Sequence, residues 1–419
     1  MTPSGRRKDA FDRQGNDDIR HGPVERRTRL AIVSTHPIQY YAPVFRLLAQ
    51  RRSVALRVFY GWKGTSKTTE DKGFGKAFAW DIPLLEGYDF EFVPNVSRDP
   101  GSHRYAGIDL PELNERIAVW QADAILVFGW CYKAHLKAMR YFHGRIPVLF
   151  RGDSTLLDET PGWRRALRRV MLRWVYHHVD LALYVGTQNR LYYEAHGLHP
   201  EKLIFAPHAI DNDRFGGARG GDLEIEAQQW RRELGIGDDE VVILFAGKLE
   251  PKKAPDLLLS AFAGISGTGK AHLAFAGIGP LEAQLRERSV PRTHFLGFQN
   301  QTRMPIAYRV GDITILPSVG PQETWGLALN EAMACGRAVA ASDRVGAAID
   351  LIEARRSGWV FSAGNFDALR QCLEKIVQTG REALREMGRR SAECIAQWSF
   401  EQQIRGIEQA LDQAIIARK

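Results

Sequence analysis

Short apolar runs alternate with amphipathic stretches along the first half of the chain. Strand-like runs rich in Val, Ile, Leu and Phe begin at Leu30, Val54, Ala124, Ile146 and Leu181. Helix-like stretches such as APVFRLLAQ and KAHLKAMRYF lie between them. Continuous apolar runs joined by helices are typical of parallel strands that are covered on both faces. The pattern therefore predicts a doubly wound α/β domain.

The alternation stops over residues 212–239, which are rich first in Gly and then in charged residues, and it resumes afterwards. The later strand-like runs begin at Val241, His272, Thr293, Ile313 and Ala338. The last segment keeps helical spacing and opens with a capping box formed by Ser399 and Gln402. We predict a disordered tail (1–28), an N-terminal domain (29–211), a linker (212–239), a C-terminal domain (240–396) and a terminal helix (397–419).

Composition narrows the class of protein and its compartment. The 419 residues carry a formal charge of +8, which favours an anionic partner without choosing among nucleotide sugars, phospholipid headgroups and nucleic acid. The first residues mix both signs of charge and lack the apolar core of a signal peptide. Four cysteines without CxxC spacing suggest free thiols in a reducing compartment, and no apolar run is long enough to span a bilayer. We expect a cytoplasmic protein.

The segment PQETWGLALNEAMACG holds two glutamates with helical spacing between them. Glu323 precedes an apolar helical stretch, and Glu331 lies two turns into it. The backbone N–H groups of Trp325, Gly326 and Leu327 would then lie at a helix N-terminus, where anions are favoured. Because a carboxylate accepts hydrogen bonds from vicinal hydroxyls, two of them suit a sugar and a ribose.

Two lysines follow a predicted strand in the segment ILFAGKLEPKKAPDLLLSAF. Lys248 stands at the end of the strand, and Lys253 opens the next helix. Cations that converge at the carboxyl edge of a parallel sheet are well placed to bind a diphosphate. Taken singly, each of these motifs is more often a solvated surface, but their order and their positions at strand-to-helix junctions favour a binding site.

At these residues the sequence resembles the glycosyltransferase family 4 type of GT-B enzymes. The pattern of that family is a basic residue after FxG, a Lys five positions on, and a Glu-x(7)-Glu motif, which here are Lys248, Lys253, Glu323 and Glu331. The resemblance is strong over about 200–400 and looser over 29–200, and Lys248 stands where the family more often has Arg. It implies two Rossmann-like domains that face a cleft, with a C-terminal helix crossing back.

The resemblance also implies a function and residue roles. The expected activity is that of a retaining hexosyltransferase-type enzyme, working in bacterial envelope polysaccharide or glycolipid synthesis. Lys248 and Lys253 would bind the donor phosphates, Glu323 the transferred sugar, and Glu331 the ribose. The donor would be a UDP-sugar ahead of a GDP-sugar, the acceptor a glycan or a lipid-linked molecule, and no nucleic acid is expected. A GT-B sugar-nucleotide epimerase and a catalytically silent sugar-nucleotide binder remain alternatives.

The acceptor side is expected in loops of the N-terminal domain. The first strand runs into a loop with His36, Gln39, Tyr40 and Tyr41, which could reach substrate hydroxyls or simply pack the loop. A second loop, LFRGDSTL, carries Arg151, Asp153 and Ser154 in the region where family members often have a His. Arg151 and Asp153 could act at the reaction centre or form an orienting salt bridge.

Two further motifs have competing interpretations. Asp211-Asn212-Asp213 is formally a DxD sequence, but it lies in HAIDNDRF, where we predict a turn and helix cap and no metal or other cofactor. The stretch from Trp163 is an amphipathic helix that holds Arg164, Arg165, Arg168, Arg169 and Arg173. Its apolar residues could pack on the sheet and leave a solvated arginine face, or that face could bind anionic lipid and make the protein a peripheral membrane protein.

Overall fold

Strands and helices alternate through both halves of the chain, in a computed structural model that describes residues 27–64, 69–71, 76–78, 80–353 and 357–418. The strands are Thr28–Ser34 (β1), Val54–Tyr60 (β2), Thr69–Asp71 (β3), Lys76–Phe78 (β4), Asp89–Phe92 (β5), Ala124–Phe128 (β6), Val148–Arg151 (β7), Leu181–Tyr184 (β8), Leu203–Phe205 (β9), Val241–Ala246 (β10), Ala271–Ala276 (β11), Thr293–Gly297 (β12), Ile313–Leu316 (β13), Ala338–Ser342 (β14) and Gly358–Phe361 (β15). The helices are Ala42–Ala49 (α1), Leu113–Val119 (α2), Lys133–Phe142 (α3), Trp163–Tyr176 (α4), Thr187–Ala195 (α5), Asn212–Gly216 (α6), Gly220–Glu233 (α7), Pro255–Ala263 (α8), Glu282–Glu287 (α9), Met304–Val310 (α10), Leu327–Ala334 (α11), Phe366–Ile395 (α12) and Phe400–Ile416 (α13). The predicted tail lies almost wholly outside the described residues.

Two parallel sheets form the frame of the molecule, as the apolar runs predict. The first has seven strands in the order β5-β2-β1-β6-β7-β8-β9, and the second has six in the order β12-β11-β10-β13-β14-β15. Central strands such as β6 and β10 are buried along their whole length because helices cover both faces of each sheet. The prediction of two doubly wound domains is confirmed.

In each sheet the order of the strands reverses at one point. The chain leaves β1 toward β2 and β5 and then returns to β6 on the other side. In the second sheet it likewise leaves β10 toward β11 and β12 and returns to β13. Loops that diverge from neighbouring strands at such a point leave a crevice at the carboxyl edge of the sheet. The loops after β10 and β13 are those that carry the candidate lysines and Glu323.

The segment expected to be a linker, residues 212–239, instead contains the two helices α6 and α7. Leu223 and Ala227 of α7 are buried in the core of the second domain. The guanidinium of Arg231 is also buried, and it donates to Asp312 Oδ2 at 3.0 Å and to the carbonyl of Val310. Although this segment is rich in charged residues, its helix α7 packs in the second domain and contributes the buried Arg231–Asp312 ion pair.

The terminal helix crosses back onto the first domain, as expected. Ser399 caps α13 by accepting a hydrogen bond from the N–H of Gln402 at 3.3 Å. Ile404 and Leu411 of this helix lie in the same buried cluster as Leu30 of β1. The helix thus ties the C-terminal end of the chain to the sheet of the N-terminal domain.

Helix α4 does not bury the side that its apolar residues suggest. Leu172, Val175 and Tyr176 are its buried residues. The larger apolar set is exposed instead: Trp163, Leu167, Val170, Met171 and Trp174. The expectation that the apolar residues of this helix pack on the sheet is therefore wrong for these five residues and holds for Val175. The helical period is as predicted, but the sheet covers the opposite face of the helix.

A buried histidine in α3 gives the fold a pH dependence. Nδ1 of His135 lies 3.0 Å from the carbonyl oxygens of Phe128 and Gly129, so that nitrogen donates. Burial lowers the pKa of His135 to about 4, although these carbonyls oppose the shift. The unfolded chain therefore binds a proton between about pH 6.5 and pH 4 that the folded protein excludes. The contribution of neutral His135 to the free energy of unfolding is fully present above this pH window and is lost as the pH falls through it.

We expect His135→Gln to weaken this pH dependence, because Gln keeps an N–H donor but does not titrate. For wild type, His135 alone should remove about 2 kcal/mol of unfolding free energy between pH 7 and pH 5. Urea unfolding of both proteins at these two pH values measures the difference. An equal loss in wild type and variant would contradict the assignment.

Candidate functional site

A cavity lies between the carboxyl edges of the two sheets. It has a volume of about 810 Å³. The N-terminal domain lines it with residues that include His36, Gln39 and Tyr40, and the C-terminal domain with residues that include Lys248, Lys253, Glu323, Leu327 and Glu331. The structure thus brings together the motif residues that the sequence singles out in each domain.

Lys253 and Glu323 form an ion pair at the second-domain side of the cavity. Lys253 Nζ lies 2.6 Å from Glu323 Oε2, and Ser318 Oγ donates to the same oxygen at 3.0 Å. Lys253 follows β10 and Glu323 follows β13, so the pair bridges the two loops that diverge at the reversal of strand order. Because Lys253 and Glu323 are 70 residues apart, their contact could not be predicted from the sequence.

Two glycines expose bare backbone to the cavity. Gly247 and Gly277 follow the neighbouring strands β10 and β11, and both have positive φ angles of 150° and 145°. A Cβ atom on Gly277 would lie 1.9 Å from the carbonyl oxygen of Gly247. Only glycine fits there, and its lack of a side chain lets a ligand approach the main chain closely.

Glu331 is buried deep in the cavity and is held by two tyrosines. Tyr308 OH donates to Oε2 at 2.7 Å, and Tyr40 OH donates to Oε1 at 3.1 Å. Burial raises the pKa of Glu331, against the opposing effect of these hydrogen bonds and of the nearby Arg214 charge. Because Tyr40 comes from the first domain and Tyr308 from the second, the carboxylate also links the two walls of the cleft.

Helix α11 begins where the sequence predicts, and the role of its first N–H groups in donor binding stays a prediction. Gly326 precedes the helix with a φ of 95°, and Leu327 is its first residue. The side chain of Trp325 has a different role from its backbone. Its ring is buried against Gly186 of the first domain, where an added Cβ would be 2.3 Å away, and its Nε1 donates to Asn330 Oδ1 at 2.8 Å. Trp325 therefore packs the domain interface.

Arg151 does not line either of the two cleft cavities. Its side chain is 2% exposed, and its two terminal nitrogens donate to the carbonyls of Ala206 at 2.6 Å and Pro207 at 3.0 Å. Burial lowers the pKa of Arg151, with the neighbouring Tyr41 opposing it. Arg151 fixes the segment that leads to His208, and the hydrogen bonds of Asp153 are made to other residues.

Asp153 lies in a smaller cavity of about 230 Å³ beside Glu323. It accepts a hydrogen bond from Thr324 Oγ1 at 2.8 Å, and its carboxylate is 3.7 Å from His208 Nε2. Burial would raise the pKa of Asp153, but His208, Thr324 and the charge of Arg151 outweigh it and hold the pKa below its usual range. Burial lowers the pKa of His208. A carboxylate that stays ionised faces a space large enough for part of a ligand.

The loop after β7 braces the loop that carries Glu323. Besides the Asp153–Thr324 hydrogen bond, Asp158 Oδ2 accepts from the N–H of Gln322 at 2.7 Å. The guanidinium of Arg344 in the second domain donates to the carbonyl of Leu157. These contacts cross the domain interface on both sides of Glu323, so the first domain helps to set the position of that carboxylate.

The DxD segment has the local role that we predicted. Asp211 caps α6 by accepting from the N–H of Arg214 at 3.0 Å, and Asn212 Nδ2 donates to the carbonyls of Ile395 and Trp398. Within the described ranges there is no group of three or more His, Cys, Asp or Glu side chains arranged to hold a metal ion. The turn-and-cap interpretation is confirmed, and the absence of a metal stays a prediction.

Two site residues have weak signals in the sequence. Tyr308 stands in MPIAYRV, a short helix whose residues from Pro305 on are buried, and nothing there distinguishes a glutamate partner from a core tyrosine. His208 lies in APHAIDNDRF, a segment that the family resemblance includes, but its approach to Asp153 spans 55 residues and requires the folded sheet.

Comparison with known proteins identifies the architecture. Residues 226–393 match the family model of glycosyl transferases group 1. HepE from Anabaena, solved in complex with UDP, superposes with a TM-score of 0.69 at 17% identity, over 92% of this chain and 100% of that one. The chain has the GT-B fold. WaaG, a glycosyltransferase involved in lipopolysaccharide biosynthesis, shares this GT-B fold at a TM-score of 0.63 and 16% identity, over 92% of this chain and 99% of that one.

Sequence relatives match less than half of the chain. The D-inositol 3-phosphate glycosyltransferase of Geodermatophilus obscurus is 32% identical over 162 residues, which are 35% of this chain and 34% of that protein. The Geodermatophilus protein is covered over 34% of its own length, and the D-inositol 3-phosphate glycosyltransferase of Mycobacterium marinum, 29% identical over 215 residues, over 45%. Among the helices in the described part of the GT-B chain, none combines the length and apolar content that a bilayer-spanning segment needs.

Proposed function

We propose that the protein transfers a sugar from a nucleotide-activated donor onto an acceptor, as a retaining enzyme of glycosyltransferase family 4. The observation that carries this proposal is the convergence of Lys248, Lys253, Glu323 and Glu331 on one interdomain cavity. The match of residues 226–393 to glycosyl transferases group 1 supports it independently of that geometry.

The proposed donor pose follows from the chemistry of the cavity. The diphosphate lies over the bare backbone of Gly247 and Gly277, near Lys248 and Lys253. Glu331 accepts hydrogen bonds from the ribose in place of its present tyrosine partners, and Glu323 accepts them from the sugar. Transfer then depends on stabilising the leaving diphosphate, which helps to deprotonate the acceptor, and it requires neither a metal nor a dedicated protein base.

A UDP-sugar is the proposed donor, ahead of a GDP-sugar. HepE, which has the same fold, has been solved with UDP and with UDP-glucose. The acceptor is proposed to be a glycan or a lipid-linked molecule of envelope polysaccharide or glycolipid synthesis, in the cytoplasm or at the inner face of the membrane. The involvement of WaaG in lipopolysaccharide biosynthesis supports that choice of pathway class.

Incubation with nucleotide sugar alone separates this proposal from its alternatives. Without an acceptor, a transferase should release nucleoside diphosphate and free sugar only slowly, by hydrolysis. With an acceptor, it should release the nucleoside diphosphate much faster and form the glycosylated acceptor. A GT-B epimerase would convert the donor into an isomeric nucleotide sugar without any second substrate. A silent binder would bind the donor and release nothing with any acceptor.

Asp153 is proposed to accept a hydrogen bond from the acceptor hydroxyl, because its ionised carboxylate faces the small cavity beside Glu323. We expect Asp153→Asn to lower transfer by about tenfold or more, the effect of losing a charge-assisted hydrogen bond of about 1.5–3 kcal/mol. Calorimetry should find its UDP affinity unchanged. Thr324→Val is the matched control, because it removes the Asp153–Thr324 hydrogen bond but leaves the carboxylate. If both variants lose transfer equally, Asp153 acts by bracing the Glu323 loop.

A further inference from the structure

Helix α4 presents an apolar stripe to the outside of the N-terminal domain. Trp163, Leu167 and Val170 are 72%, 62% and 65% exposed, and Met171 and Trp174 continue the stripe toward the end of the helix. At about 100° per residue these five positions fall on one side, opposite the buried Leu172. Single exposed apolar residues are ordinary, whereas a row of five on a single helix marks an interaction surface.

Cations border this stripe on both sides. Helical geometry puts Arg164 at one margin and Arg173 at the other. The guanidinium carbons of Arg164 and Arg140 lie 5.5 Å and 5.4 Å from the ring centres of Trp163 and Trp174. Arg140 belongs to the neighbouring helix α3, and the sequences of α3 and α4 contain no acidic residue. Apolar area and positive charge are thus combined on one face.

Not all arginines of α4 lie beside the apolar stripe. Arg168 donates to Tyr192 OH at 3.0 Å and approaches Glu159, so it is engaged with the body of the domain. Arg165 and Arg169 are half-buried on the side of the helix that packs against the domain. The cations available to an external partner on α4 are therefore the two that flank the stripe.

We propose that α4 docks the protein on a bilayer of anionic phospholipid, with the stripe of Trp163, Leu167, Val170, Met171 and Trp174 inserted at the headgroup boundary. Arg164, Arg173 and Arg140 contact the lipid phosphates around it. Charge complementarity favours this partner, because two helices that expose apolar and cationic side chains and contain no acidic residue fit a surface of anionic headgroups over acyl chains. The loop that braces Glu323 leads directly into α4, so docking holds the cleft near the membrane surface, where lipid-linked molecules reside.

The test is cosedimentation of the full chain with vesicles of phosphatidylcholine alone or mixed equally with phosphatidylglycerol. Wild type should bind the mixed vesicles and bind phosphatidylcholine at least tenfold more weakly. The variant Trp163→Gln/Leu167→Gln/Val170→Gln should bind the mixed vesicles at least tenfold more weakly than wild type. The matched control is Val96→Gln/Val119→Gln/Ile225→Gln, which changes three comparably exposed apolar residues on other surfaces and should bind as wild type does.

The charge contribution is measured with Arg164→Gln/Arg173→Gln. Each arginine near the surface should contribute about fivefold in affinity, so the double variant should bind roughly 25-fold more weakly at 0.1 M salt. At about 1 M salt, where the Debye length falls to ~3 Å, it should differ little from wild type. Unchanged thermal shifts with UDP in all variants would show that the donor site is intact, which keeps this proposal separate from the proposed activity.

Failure of wild type to bind mixed vesicles, or equal binding by the apolar variant, would overturn the proposal. Sedimentation velocity tests whether a second copy of the chain binds to this face instead of a membrane. A dimer that dissociates on introducing the three Gln substitutions, with no vesicle binding by wild type, would assign the stripe to self-association instead.

Discussion

Replacing Lys248 or Lys253 with alanine is expected to lower the rate of sugar transfer by about 10²–10³-fold, because each variant removes a charge that stabilises the departing diphosphate. Both side chains line the large cavity. Lys253 has a second role, since its ammonium is 2.6 Å from Glu323 Oε2 and orients that carboxylate. Of the two variants, Lys253→Ala should therefore be the more damaging. Steady-state kinetics with saturating acceptor measures both effects.

Lys270→Ala is the control for a general effect of charge. Lys270 is exposed in the same domain, but it precedes β11 and so stands at the opposite edge of the sheet. Its removal should leave transfer within twofold of wild type, on the order of the small effects of surface substitutions. Folded Lys248→Ala and Lys253→Ala proteins that keep more than half of the wild-type turnover would refute the phosphate assignment.

Alanine substitution of Glu331 and of Glu323 is expected to impair different properties of the protein. Glu331→Ala should weaken binding of free UDP roughly tenfold to a hundredfold, because the ribose contact is made without the sugar and a hydrogen bond to a charged group contributes about 1.5–3 kcal/mol. Glu323→Ala should leave UDP affinity unchanged and lower transfer by on the order of 10². Calorimetry with UDP and kinetics with the nucleotide sugar separate the two properties.

Substitution of the tyrosine partners provides the internal control for Glu331. Tyr308→Phe removes the 2.7 Å hydrogen bond to Glu331 Oε2 but keeps the carboxylate and the aromatic packing. It should change UDP affinity far less than Glu331→Ala, because the ribose can take over the vacated acceptor. Weak UDP binding in Glu323→Ala together with normal binding in Glu331→Ala would mean that the two roles are reversed.

The framework of the fold could be predicted from the sequence because buried parallel strands appear as uninterrupted apolar runs. A strand such as β10, buried on both faces, must be apolar at every position, and its ends coincide with the polar loops that carry Lys248 and Glu323. The order of these motifs along the chain was enough to put them at the same edge of one sheet. The two lysines and two glutamates that line the cavity could therefore be predicted from the sequence as one group.

Contacts between distant segments could not be predicted in this way. The pairing of Glu331 with Tyr40 spans 291 residues and depends on how the two domains face each other. The outward apolar stripe of α4 has the same 3.6-residue period as a core-facing stripe, so the sequence gives the helix but not the side that the sheet covers. The sequence of α7 predicts a linker because its few buried positions are separated by solvent-facing Glu and Arg.

The central claim, that the interdomain cleft is a nucleotide-sugar site, is tested most directly by thermal unfolding of the full chain with UDP, GDP and a panel of their sugar conjugates. A ligand that binds only the folded protein stabilises it by about 2.7 kcal/mol at a concentration of 100 Kd. The account predicts a clear rise in Tm with UDP or a UDP-sugar, and a much smaller rise in Lys253→Ala and Glu331→Ala. An unchanged wild-type Tm with every nucleotide and nucleotide sugar at millimolar concentration would contradict it.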